Sequence, residues 1–372
     1  VIRVLQVVTD MSMGGIEMLL MNLYRNIDRE LVQFDFLMHR AKESHFDKEI
    51  LSLGGRIYRV PSIHPFHHRA YLKALERFFE EHPDYRVIHA HNNAFSMYVL
   101  RAAKGAGVPV CIAHSHMSDV PFDFKRTLFT EYCKLHILKY TDYPFACSER
   151  AGKWLFGDNI QETIGLHVFK NGIDVEKFKF NPDKRKSVRK ALNIDSQLLI
   201  GHIGRFHPVK NHRFLIGIFA EVCRLKPESM LLLIGEGGRQ QDVSAHVEQL
   251  NLQTKVRFLG IRDDVNDLLQ ALDMFVLPSL NEGLPVTLVE AQASGLPCLV
   301  SDAVTDEVRI TDNVAFMPLD LPAAMWAEKA LDMTKHHLRR DTSEDIIKAG
   351  YDIKENAAWL QNFYLEKHNH HA

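Results

Sequence analysis

An α/β fold made of two parallel-sheet domains is what the sequence predicts, and three observations carry it. Short β-branched or Leu-rich runs alternate with longer helical patterns, as βαβ units around parallel strands require. The alternation passes through the first half and starts afresh near Leu198. At 372 residues the chain also exceeds the length at which one hydrophobic core usually stops growing.

In the first half, strands are expected near Ile2 to Val8, Val32 to Met38, Arg56 to Val60, Val87 to Ala90, Pro109 to His114, Tyr143 to Cys147 and His167 to Lys170. The second half begins with Leu198 to Gly204 and continues with Met230 to Gly235, Val256 to Gly260, Met274 to Pro278, Pro297 to Ser301 and Val314 to Met317. Asn171-Gly172-Ile173-Asp174, followed by the charged stretch Asn181 to Arg189, supplies a hinge. The domains expected are therefore 1–172, joined by about 352–372, and 173–351. The last segment is expected to return because Ala357, Leu360, Phe363 and Tyr364 recur at helical spacing and need an apolar surface.

The formal net charge of −2 lacks the basic surplus of a phosphate-tracking protein, so no nucleic-acid partner is expected. Cys111, Cys133, Cys147, Cys223 and Cys298 are scattered and form no CxxC pair, the pattern of reduced thiols in a cytosolic protein. The opening run Val1 to Val8 has neither a charged nor an apolar signal region, so no secretory leader is expected. No stretch approaches about 18 uninterrupted apolar residues, which leaves peripheral membrane contact only.

Ligands of open α/β sheets bind outside the carboxyl ends of strands, so the loops there are where chemistry is expected. After the run Met274 to Pro278 comes Ser279-Leu-Asn-Glu-Gly-Leu-Pro285, then a helix from about Val286 to Ser294, with Pro285 suited to its first turn and Gly295 to its left-handed cap. The free N–H groups at that helix start attract a phosphate or sugar hydroxyl, and Gly283 lets the backbone come close. Glu290 is placed to accept from vicinal ribose hydroxyls and Glu282 to face another part of the same ligand. A plain capping box, Ser279 with Glu282, explains part of this pattern equally well. In the second loop, Gly204-Arg205-Phe-His-Pro-Val-Lys210-Asn211, two cations are spaced for a diphosphate, against the plainer reading of a solvated surface loop. In the third, Gly14 and Gly15 follow the first strand, where a close backbone turn at a helix beginning near Met18 suits an anion. An ordinary turn fits them too, and the full dinucleotide fingerprint is missing.

His89/His91 and His114/His116 stand as i, i+2 pairs at strand ends, each pair on one face. No Cys or carboxylate completes a ligand set beside them, so no metal is expected. One of His114 and His116 reads better as an active-site hydrogen-bonding group. Phe124 to Tyr140 mixes Phe124, Leu128, Leu135 and Leu138 with Lys125, Arg126, Lys134 and Lys139, a basic amphipathic helix suited to an anionic membrane or to its own domain.

Taken together, Gly14-Gly15, His89-Ala-His91, His114-Ser-His116, Ala146-Cys-Ser148-Glu149, Asn171-Gly-Ile-Asp174, Gly204-Arg205 with Lys210-Asn211, and Asn281 to Pro285 with Glu290-Ala291 resemble glycosyltransferase family 4 over nearly the whole chain. The overall look is that of bacterial exopolysaccharide or capsule enzymes. The resemblance implies a GT-B fold, two Rossmann-like domains facing across a cleft, and retaining, metal-independent transfer with no cofactor. The donor implied is a nucleotide sugar, most of all a UDP-sugar, and the acceptor a saccharide or polyprenyl-linked saccharide. By position, Arg205 and Lys210 would bind the diphosphate, Glu290 the ribose, and Glu282 with Gly283, Leu284 and Pro285 the donor sugar. Gly260, Ile261 and Arg262 would lie beside the base, and Gly14 and Gly15 would close over the donor. The family has one histidine near the reacting sugar; spacing does not separate His114 from His116, and His116 is favoured. A nucleotide-sugar epimerase of the same architecture, or a non-catalytic nucleotide-sugar binder, remains the competing reading.

Overall fold

The computed structural model describes residues 1–12, 14–63, 68–116 and 124–370, with the side chains of His68, Phe124 and Lys125 outside that description. Met13, in the glycine loop, lies outside it as well. The chain forms two compact units, Val1–Gly172 with Ile353–Ala372, and Ile173–Asp352.

The first unit is built on seven strands: β1 Ile2–Val8, β2 Val32–Met38, β3 Ile57–Arg59, β4 Val87–Ala90, β5 Val110–Ser115, β6 Tyr143–Ala146 and β7 His167–Val168. They pair in parallel in the order β3-β2-β1-β4-β5-β6-β7. The second unit holds β8 Leu198–Ile203, β9 Ser229–Ile234, β10 Val256–Phe258, β11 Met274–Leu277, β12 Cys298–Ser301 and β13 Val314–Met317. These are also parallel, in the order β10-β9-β8-β11-β12-β13.

Two boundaries differ from expectation for local reasons. The run expected from His167 to Lys170 is a strand over two residues only; Phe169 N still donates to the Ala146 carbonyl at 2.8 Å, and beyond it the Lys170 carbonyl accepts from Asn356 Nδ2 at 2.9 Å. The helix expected near Met18 begins at Gly15, since the carbonyl of Gly14 already accepts from Met18 N at 2.9 Å.

Strand pleating assigns each residue to one of two layers. In β1, Val4 and Val8 join the layer that contains the helix Ile353–His370, while Leu5 and Val7 join the opposite one. That helix buries Ala357, Leu360, Phe363 and Tyr364 in the same layer as the helix Gly15–Asn26. Gln6, His89, His91, His114 and His116 fall on this face by the same alternation, so the layer turns polar toward the carboxyl ends of the strands. In each sheet the strand order reverses once, between β1 and β4 and between β8 and β11, and these switch points are where open α/β sheets bind ligands.

Candidate active site

At the second unit's switch point, the loops that follow β8 and β11 are joined. Leu280 N donates to the Val209 carbonyl at 2.7 Å, and Lys210 Nζ meets Glu282 Oε1 at 2.5 Å. Ser279 Oγ donates to the same Oε1 at 2.9 Å. Glu282 Oε2 has no partner among the described residues. The Ser279 and Glu282 contact is not a capping box, because the helix begins only at Val286. Pro285 precedes that helix rather than opening its first turn: its carbonyl accepts from Leu288 N at 2.9 Å. Gly295 closes the helix at φ 66°.

Lys210 reaches Glu282 by folding over Gly204, where an added Cβ would stand 3.0 Å from Lys210 Cε and 3.2 Å from His202 Nε2. Beneath it lie His202, whose Nδ1 donates to the Val276 carbonyl at 2.9 Å, and His212, stacked 4.3 Å from Phe206. Burial and then the neighbouring His212 hold His202 well below the usual imidazole range, and burial with Lys210 brings His212 down to about 4. Both are neutral at pH 7 and leave Lys210 as the positive charge. Arg205 is exposed, and its guanidinium has no partner among the described residues.

Around the helix Val286–Ala293, polar groups lack partners. Thr287 Oγ1 and Asn281 Oδ1 are buried with no hydrogen bond, and Glu290 has none among the described residues. Glu290 is half-buried, and desolvation pushes its carboxyl up to about 7. Buried polar groups are normally satisfied, so Thr287 and Asn281 have hydrogen-bonding capacity left for a ligand. Leu284 spends its side chain on the core beside Val286 and Phe178, leaving its backbone to a ligand.

The β9 and β10 ends complete this edge. Gly235, at φ 130°, donates its N–H to the Gly260 carbonyl at 2.8 Å, and a Cβ there would come 2.3 Å from the Gly204 carbonyl oxygen. Gly260 itself has φ 65°. Ile261 is half exposed, and Arg262 is held by Asp264 through bonds of 2.7 and 2.6 Å. Sequence reasoning missed Gly235, His202, His212 and Gly237, where an added Cβ would stand 2.6 Å from the Phe206 carbonyl oxygen. The run Gly235-Glu-Gly-Gly238 directly after a strand was the signal for the two glycines; for buried histidines on a strand and a helix there was none.

In the first unit, the four strand-end histidines form one block. His89 Nε2 and His114 Nδ1 are 3.1 Å apart, and His91 Nδ1 and His116 Nε2 2.9 Å. Stacking joins these pairs, His89 on His91 at 4.3 Å and His114 on His116 at 4.0 Å. Burial holds all four below the usual imidazole range, His116 at about 3. Only His116 keeps appreciable exposure as a residue. Nitrogens of His89, His91 and His114 lie within 4.8 Å of one another. Gly14 caps the helix Gly15–Asn26, and a Cβ there would meet Glu17 Oε2 at 2.3 Å, so the protein's own carboxylate occupies that helix start.

The helix Phe124–Ile137 buries Cys133 and Ile137 and exposes Leu128, Tyr132 and Leu135. Two of its cations lie over rings of the same unit, the exposed Arg126 at 5.9 Å from Phe95 and the half-buried Lys134 at 5.1 Å from Trp154. Among the described residues no helix is long and apolar enough to cross a membrane.

Comparison with known proteins bears on the whole chain. Residues 13–177 match the model described as Glycosyltransferase Family 4, and residues 183–351 the model described as Glycosyl transferases group 1. EpsF of Bacillus subtilis (strain 168), which carries a glycosyltransferase name, is 38% identical over 368 residues, 97% of this chain and 96% of that protein. A UDP-Gal:alpha-D-GlcNAc-diphosphoundecaprenol alpha-1,3-galactosyltransferase of Escherichia coli is 29% identical over 229 residues, 59% of this chain and 58% of the other. In fold, the chain is similar to Anabaena HepE, solved in complex with UDP-glucose, with a TM-score of 0.79 at 18% identity over 98% of this chain and 100% of that one. The fold is GT-B, and the chain belongs to glycosyltransferase family 4.

Proposed function

We propose that the protein transfers a sugar from a UDP-sugar to a saccharide or lipid-linked saccharide acceptor in exopolysaccharide or cell-surface glycan synthesis, with retention at the anomeric carbon and no metal requirement. The second unit takes the donor and the first the acceptor. The observation that carries the donor site is the partnerless Glu290 carboxyl, with Thr287 and Asn281 also unsatisfied, at the switch point where Lys210 meets Glu282. Glu290 takes the ribose hydroxyls, Arg205 and Lys210 the diphosphate, Glu282 with the backbone of Gly283 and Leu284 the sugar. Gly260, Ile261 and Arg262 flank the base. Support for a UDP donor comes from HepE, solved with UDP-glucose, and support for a lipid-linked acceptor from the name of the Escherichia coli relative.

In the transfer, the bond from C1 to the diphosphate oxygen breaks as the acceptor oxygen bonds C1 on the same face. The acceptor's proton passes to an oxygen of the departing phosphate. Arg205 and Lys210 supply the positive charge that this leaving group needs, and His116 is the active-site histidine. Contact with an anionic membrane through the helix Phe124–Ile137 is part of this reading, since Leu128 and Leu135 stand 58% and 77% exposed.

Incubating the purified chain with UDP-, GDP- and ADP-sugars in a thermal-shift panel, then with acceptors under chelator, tests the reading. A UDP-sugar is expected to raise the melting temperature, transfer to persist under chelator, and Glu290→Gln and Lys210→Ala each to cut transfer by about a hundredfold or more. Full activity in both variants, or donor epimerised without acceptor, would end it.

A further inference from the structure

Every polar contact inside the histidine block has a direction, and the directions are linked. Gln6 Oε1 lies 2.9 Å from His91 Nε2, while Gln6 Nε2 lies 3.2 Å from Tyr364 Oη, which is 2.6 Å from His89 Nδ1. An amide oxygen only accepts and an amide NH₂ only donates, and a neutral imidazole has one nitrogen of each kind. His91 therefore donates from Nε2 and accepts at Nδ1, which makes His116 the donor from its Nε2 and leaves the Nδ1 of His116 with a lone pair. On the other branch the Tyr364 hydroxyl accepts from Gln6, so its proton goes to His89 Nδ1. His89 then donates from Nε2 to His114 Nδ1, and His114 Nε2 carries a proton.

All four rings thus hold their proton on Nε2. Turning the Gln6 amide over reverses each bond and moves all four protons to Nδ1, so two arrangements make every bond and any mixture of them leaves a donor, such as the Tyr364 hydroxyl, unpaired. The amide orientation described selects the first.

Both chain ends are open: His114 Nε2 and His116 Nδ1 are buried and have no hydrogen-bond partner. Each points away from the end of β4, since the opposite nitrogen of the same ring bonds His89 in that strand or His91 just beyond it.

We propose that Gln6 and Tyr364 are positioning residues that set the proton arrangement of the block, so that His116 offers an acceptor nitrogen to its ligand. The ligand group there is a hydroxyl that donates, such as a sugar hydroxyl, and an anionic phosphate or carboxylate oxygen is disfavoured. The inference rests on the reading of His116 as the active-site histidine for its ligand, while the linkage itself rests on the block alone. Tyr364 belongs to the helix Ile353–His370, so the docking of the chain's last helix and the tautomer of His114, through His89, share one hydroxyl.

The test is long-range proton–nitrogen correlation NMR on the ¹⁵N-histidine-labelled full chain at neutral pH, which reads the tautomer of each ring without any substrate. In the wild type, His89, His91, His114 and His116 are expected to share the Nε2–H form, with a ring out of step with its bonded neighbour disfavoured by about tenfold, the ratio that one hydrogen bond of ordinary net strength sustains. In Tyr364→Phe the link is cut: His89 and His114 should show both tautomers and no longer follow His91 and His116, which still share one form through their own bond. The inference is overturned by bonded rings in opposite tautomers in the wild type, by a shared Nδ1–H form, or by a folded Tyr364→Phe in which His89 and His114 are unmoved. Should Tyr364→Phe not fold, the wild-type spectrum still decides. Loss of transferase activity plays no part in this readout, so failure of the linkage and failure of the functional proposal are told apart.

Discussion

Glu290 offers a handle that titrates near neutrality. Burial raises its carboxyl to about 7, and the ribose hydroxyls assigned to it donate, so the ionised form is the one that binds. Donor affinity should therefore rise with pH up to about 7 and then level off. Below that point the loss approaches about tenfold per pH unit, as for any single proton that must leave before binding. Calorimetric titration of a UDP-sugar between pH 5.5 and 8 checks this, with Glu290→Gln expected to bind weakly and without that slope. An equal slope in the variant would place the titrating group elsewhere. The sequence made Glu290, Glu282, Lys210 and Arg205 legible because each is polar in a loop or helix start after a strand. His202 and His212 were not, because buried histidines on a strand and a helix look like any others until packing places them under Lys210.

At the scale of single elements, the helix Phe124–Ile137 has its apolar residues on both sides. Cys133 and Ile137 serve the core, and Leu128, Tyr132 and Leu135, at i, i+4 and i+7, form a second stripe with nothing of this chain over it among the described residues. Helical spacing in the sequence identified the helix but not which stripe is spare, since both repeat with the same period. If the exposed stripe meets lipid, Leu128→Ser with Leu135→Ser should weaken co-sedimentation with anionic vesicles by about tenfold or more, as the burial of two leucine side chains implies. Melting temperature should hold, because neither side chain is in the core. Vesicle binding equal to wild type would remove this helix from the contact. Strand ends were the other partly legible feature: past β7 the Lys170 carbonyl pairs with Asn356, distant in sequence, and no local pattern announces such a partner.

For the whole molecule, the buried histidines set the response to acid. Burial holds His39, His89, His91, His114 and His116 of the first unit, and His202 and His212 of the second, below the usual imidazole range. The unfolded chain protonates these residues near pH 6.5 while the folded chain does not, so the unfolded state binds more protons below that point and stability falls as pH drops. Glu290 works the other way: its raised carboxyl stays protonated when folded and ionised when unfolded between about 4.5 and 7, so its own term favours folding as pH falls through that window. One carboxyl opposes several imidazoles, each contributing up to about 1.4 kcal/mol per pH unit, so the imidazoles decide the sign. Urea unfolding at pH 7.5 and pH 5.5 should show the midpoint lower at pH 5.5. Since most of these rings lie in the first unit, any separate transition assigned to it should move further than that of the second. Glu290→Gln should move the second unit's transition further still with acid, having lost the opposing term, and leave the first unit's response unchanged. A midpoint that does not fall between the two pH values would mean that the buried imidazoles are open to protons in the folded state.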